Sequence, residues 1–216
     1  MQTFANAAIY EMEHSRRECG NQVGTKYRGP DAAGKEKINC ILYVKKILQY
    51  AFKESSQPQH VQGVQQHYFD GGELAKYLVE SAGWKAYYWN PDVRHPADGD
   101  DEHPYSYRIA KDKKYYGYLN TTTHPEAKIP ITGLIVNFRP TSVAGEGQTP
   151  LQTEQLSWFK QVPFAYGIAR GGTHTFVVSR GKIYEVHWDQ IGESLYEVSN
   201  FEDFPWLSGA VVIPPN

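Results

Sequence analysis

The chain has 216 residues, with 22 Lys and Arg against 24 Asp and Glu, for a formal net charge of −2. That length suits one sizeable domain, and the interspersed signs exclude an extended basic face for nucleic acid. Two cysteines exclude a disulfide framework, and no apolar run is long enough to cross a bilayer.

Residues 4–19 have the spacing of an amphipathic helix, with Phe4, Ala7, Ala8, Met12 and Cys19 turned inward. Cys19 precedes Gly20 at the expected helix end and reads as structural; a bridge to Cys40 would consume the second thiol. Residues 20–37 form a Gly/Lys-rich loop containing Tyr27. Asn39 is a favoured helix N-cap, so a helix is predicted over residues 40–54. Ile41, Val44, Leu48 and Phe52 give it one apolar stripe. Cys40 then lies in the first turn, where the helix dipole favours a thiolate. Two readings are open at this point: a buried structural cysteine, or a nucleophile awaiting a base.

Residues 55–67 are polar and Gln-rich and read as a connector, with His60 and His67 solvated. A second helix is predicted over residues 71–82, with Leu74, Leu78 and Val79 as its stripe and Gly83 as its stop. Residues 84–89 read as an aromatic strand. Residues 90–107 read as a loop rich in Pro and Asp. Asp98, Asp100 and Glu102, with His95 and His103, have the composition of a cation loop but lack EF-hand spacing, and the reading is a solvated acidic loop. Residues 109–119, with Tyr115, Tyr116 and Tyr118, form a short strand or helix, and residues 129–138 one buried strand. A loop at 141–149, a helix at 150–161 and a strand at 162–169 follow. A last strand is expected at 210–213.

The base comes from a predicted hairpin. Residues 173–179 and 182–188 are strand-like and flank Arg180-Gly181, a two-residue turn. That turn sets Ser179 opposite Lys182, Val177 opposite Tyr184 and His174 opposite His187. Opposed residues have Cβ atoms about 5 Å apart, so one imidazole can fix the tautomer of the other. Glu185 and Asp189 are alternative orienting residues.

A Tyr and a Gly ahead of a helix-opening Cys, then a strand His and a later polar residue, resemble the NlpC/P60 group of papain-like cysteine hydrolases. Tyr27, Gly29, Asn39-Cys40, His174 and His187 carry the resemblance, over residues 20–54 and 160–190. Asn39 and Ile41-Leu42 depart from the group's usual Asp-Cys-Ser-Gly. The resemblance implies an α+β papain-like domain over residues 1–216, elaborated at about 55–130, with the nucleophile helix packed on an antiparallel sheet. It implies a Cys40–His174–His187 triad, a substrate or oxyanion role for Tyr27, and neither cofactor nor metal. It further implies amide hydrolysis in bacterial peptidoglycan, as an amidase or endopeptidase. The N-terminus has no basic, apolar leader of the Sec type. The resemblance then extends to antibacterial toxins delivered by type VI secretion to a target-cell periplasm, with a cognate immunity protein as partner; otherwise the expected location is cytoplasmic. Two other classes stay open on the residues alone. One is a metal-dependent hydrolase built on His174, His187 and Asp189, for which no HExxH spacing exists. The other is a papain-like binding module without a working nucleophile.

Overall fold

A computed structural model describes residues 3–18, 26–27, 40–67, 71–89, 105–109, 115–119, 127–136, 157–169, 174–188, 194–201 and 209–215. Four helices pack on one face of a large sheet in a mixed α+β arrangement: α1 (Phe4–Glu18), α2 (Cys40–Glu54), α3 (Gln59–His67) and α4 (Gly71–Glu80). Helix α2 lies at the centre of the helical layer. It buries Tyr43, Val44, Ile47, Leu48, Ala51 and Phe52, a repeat of three and four that turns one stripe to the core. Ile41, expected in that stripe, is only half-buried at the helix start. Helix α1 covers α2 with Phe4, Ala7, Ala8 and Met12, as its pattern predicts. The Phe4 ring meets Phe52, Trp84 and Phe164 edge-on at 4.7, 5.1 and 5.7 Å. Among the described residues, no helix is long and apolar enough to cross a membrane.

The expected connector at 55–67 is instead largely helical. α3 forms because Val64 and Gly63 are buried against α2 and α4, so tertiary contact outweighs the polar composition. His60 is not solvated: its Nδ1 lies 2.9 Å from the Tyr77 hydroxyl, and His67 stacks on the same ring at 5.1 Å. α4 stops as expected near Gly83, whose φ of 72° is left-handed, and the Trp84 N–H returns to the Leu78 carbonyl at 3.0 Å. Val64, Leu74, Ala75, Leu78, Trp84 and Ala86 join the main core.

The strands among the described residues are β1 (Lys26–Tyr27), β2 (Lys85–Trp89), β3 (Tyr105–Ile109), β4 (Tyr115–Leu119), β5 (Ala127–Ile131), β6 (Gly133–Val136), β7 (Ala165–Ala169), β8 (His174–Ser179), β9 (Lys182–Trp188), β10 (Ser194–Asn200) and β11 (Gly209–Ile213). Eight of them form one sheet in the order β1-β10-β9-β8-β7-β11-β2-β6; β3, β4 and β5 form a second. The predicted strand at 129–138 is two strands in two sheets, split at Thr132, whose N–H donates to the Ala86 carbonyl at 2.8 Å. Residues 105–107 belong to β3 rather than to a loop. β10 was not foreseen. Of the helix expected at 150–161, the described part is a short helical turn at 157–159. The expected acidic loop at 95–103 and the structural role of Cys19 fall outside the described residues.

The β8–β9 hairpin has the expected register next to its turn, Val177↔Tyr184, Val178↔Ile183 and Ser179↔Lys182, but the expected His174–His187 pair is not part of it. Arg180 (φ 49°) and Gly181 (φ 75°) are both left-handed, the pattern of a type I′ turn whose twist matches its strands. Alternation along the sheet separates two cores. Tyr166, Ile168, Val177 and Val186 join the helical layer, while Phe176, Val178, Ile183 and Val211 pack with Phe159 and Phe201 on the other face.

Candidate active site

Cys40 is the first residue of α2, half-buried, and α2 packs against β8 and β9. The first backbone N–H groups of a helix have no intrahelical acceptor, so the thiol sits where donors point outward. His174 is the first residue of β8, across from Ala169 of β7, and is buried at 7% exposure. Cys40 and His174 are hydrogen-bonded through their side chains. Residues far apart in sequence therefore meet because the nucleophile helix starts over one end of the sheet.

The second imidazole nitrogen decides the orienting residue. His174 Nε2 lies 2.5 Å from Glu185 Oε2, and Glu185 is buried at 5% exposure. Glu185 lies in β9 one residue past Tyr184, the last residue of that strand paired with β8, and opposite Glu197 of β10. Glu185, an alternative orienting residue in the sequence, holds that nitrogen. Its charge is complementary to imidazolium. With Nε2 donating to Glu185, Nδ1 is the ring nitrogen left to serve the thiol.

His187 stands in β9 opposite Leu195 of β10, and its side chain is outside the described part. Tyr27 pairs with Ser194 on the edge strand β1. The register Tyr27↔Ser194↔Trp188 puts its backbone at the same end of the sheet as His174, three strands away. Asp189 and Asn39 lie outside the described residues.

The electrostatics follow from these contacts. Burial, the largest influence on His174, pushes its pKa down. Hydrogen bonds to Cys40 and Glu185 and the charges of both push it up, and they win, to about 9. For Cys40 the largest influence is again burial, which raises the thiol. The hydrogen bond and charge of His174, with contacts from the Thr175 backbone and hydroxyl, outweigh it and hold the thiol below its ordinary value. Both shifts favour moving the proton from sulfur to imidazole. Such coupled groups titrate as a pair.

Comparison with protein-family models, curated proteins and solved structures found no match.

The arrangement can therefore be read only from its chemistry. A thiol, a base and a carboxylate in series make an activated nucleophile. Thr175 was missed by sequence reasoning. Its signal was present: it is the strand neighbour of the base, on the alternate face. Among the described residues, no group of three His, Cys, Asp or Glu is placed to hold a metal ion.

Proposed function

We propose that this chain is a papain-like cysteine hydrolase of the NlpC/P60 type that cleaves an amide bond in bacterial peptidoglycan. The observation that carries the reading is the continuous chain Cys40–His174–Glu185, with its sulfur at a helix N-terminus and its base fixed by a buried carboxylate. The Cys40 thiolate attacks the carbonyl carbon and the C=O π bond opens to an oxyanion. The Cys40 backbone N–H faces that developing charge. Imidazolium His174 gives its proton to the leaving amine as the C–N bond breaks, leaving a thioester. Water then attacks the thioester, His174 accepts its proton, and the carboxylic acid departs as the sulfur recovers its charge. Glu185 keeps the ring oriented and stabilises its charged form throughout.

The substrate class rests on the family likeness rather than on the site. Action in the periplasm of a target cell, with a dedicated inhibitory protein as partner, belongs to the same proposal. Purified protein is to be incubated with peptidoglycan sacculi and the soluble fragments read by mass spectrometry. New amine and carboxyl ends, absent with Cys40→Ala, are expected. Intact sacculi with wild-type protein overturn the substrate. Activity lost to chelators and spared by iodoacetamide overturns the thiol chemistry.

A further inference from the structure

Thr175 is 1% exposed and follows His174 directly in β8. It shares strand parity with Val177, which belongs to the helical layer, so its side chain turns toward α2. Its Oγ1 is buried with no conventional hydrogen-bond partner. A buried hydroxyl in that state is destabilising unless some group answers it. By contrast, the hydroxyl of Ser179 at the far end of the same strand donates to the Pro163 carbonyl at 2.7 Å.

We infer that Thr175 is the positioning residue of the nucleophile: its backbone N–H and its hydroxyl converge on the Cys40 sulfur and hold the thiolate in line with His174. This rests on the thiol reading above and adds what fixes the sulfur. A neutral thiol is a poor acceptor, so the hydroxyl gains little from it. A thiolate is a charged acceptor, and bonds to charge are roughly twice as strong. The hydroxyl is thus a donor held in reserve for one protonation state. It stabilises the resting thiolate and loses its partner when the sulfur becomes a neutral thioester.

Two described polar groups near α2 have partners of their own. Glu11 of α1 faces Lys46 at 3.7 Å and accepts from Ser15 at 3.3 Å. His60 of α3 is bonded to Tyr77. Among the described residues, the charges that bear on the sulfur are His174 of β8 and, through that ring, Glu185 of β9.

The test is the pH dependence of Cys40 alkylation by iodoacetamide, followed on the Cys40 peptide by mass spectrometry. Four proteins form two matched pairs: wild type with Thr175→Val, and Thr175→Ser with Thr175→Ala. Within each pair the hydroxyl is the main difference, and circular dichroism checks the fold. Loss of the hydroxyl should move the acidic limb up by about one pH unit, slowing alkylation about tenfold on the acid side. The alkaline plateau should rise about threefold, since a more basic thiolate is the better nucleophile. A packing defect does not produce that crossing. The serine variant should keep the wild-type limb. Limbs that coincide within either folded pair overturn the role of Thr175 while leaving the activated thiol intact. A wild-type Cys40 that alkylates like an ordinary thiol overturns the activated thiol itself, and this inference with it.

Discussion

At the scale of single residues, the base and its carboxylate make separable predictions. Cys40→Ala and His174→Ala should abolish hydrolysis with the fold retained by circular dichroism. Glu185→Gln removes the charge that holds imidazolium, so kcat should fall on the order of 10²–10⁴-fold, as with other orienting carboxylates. His187→Ala should cost much less; steady-state rates on a peptidoglycan fragment check the ranking. The pH profile has a definite sign. His174 is raised from 6.5 to about 9, so its protonated form, the general acid, is present below that pH and lost above it. Hydrolysis should therefore decline as pH rises through about 9, while alkylation of Cys40 stays on its plateau because the thiolate persists. Glu185→Gln should move the declining limb to lower pH, since Glu185 is one of the groups holding it up. Cys40 and His174 were legible in the sequence because a helix-start thiol and a strand imidazole have local signatures. Glu185 was less legible than His187, because a side-chain contact beyond the paired part of the hairpin leaves no local pattern, and the bound nitrogen shows it.

Elements were legible where one face is apolar and the ends carry turn chemistry. The span of α2 and the register of β8–β9 follow from such signals, and so does the end of α4. α3 and β10 were less legible: one is Gln-rich, and the other, Ser-Leu-Tyr-Glu-Val-Ser-Asn, mixes apolar and polar residues without strict alternation. Two substitutions probe the hairpin and its neighbour. Arg180 adopts a left-handed φ of 49°, which costs a β-carbon-bearing residue free energy that asparagine largely escapes. Arg180→Asn should raise stability by roughly 0.5–1 kcal/mol in urea unfolding, with the slope unchanged. Gly167 of β7 faces Phe176 of β8 so closely that an added β-carbon runs into the buried ring. Gly167→Ala should destabilise by about 1–3 kcal/mol. Phe176 in turn lies 6.0 Å from the His174 ring, centroid to centroid, so displacing it should also lower kcat. An unchanged Tm and rate would show that Phe176 moves aside without cost.

For the whole molecule, the α+β class was legible from helical patterns early in the chain and strand patterns late. The sheet order was not. β1 joins the edge beside β10, and β2 crosses to pair in parallel with β6, long-range choices that no local pattern encodes. That topology has a functional consequence. One rigid sheet end collects the base and the carboxylate, and the helix that carries the nucleophile is anchored through the core rather than through a loop. Cys40, His174 and Glu185 belong to one chain, so the proposed activity should follow the folded protein into whatever compartment holds substrate. Peptidoglycan lies outside the inner membrane of a Gram-negative cell. Expression there with an added export signal should therefore lyse the host, and the same chain retained in the cytoplasm should leave growth unaffected. The export-directed Cys40→Ala protein should be harmless at equal abundance, checked by immunoblot of periplasmic extracts. Turbidity of induced cultures, with microscopy for rounding, reads the outcome. Lysis that persists in the Cys40→Ala protein would assign the toxicity to something other than the thiol. Growth unchanged by abundant periplasmic wild type would remove peptidoglycan as the substrate while leaving the alkylation chemistry of Cys40 to stand or fall by itself.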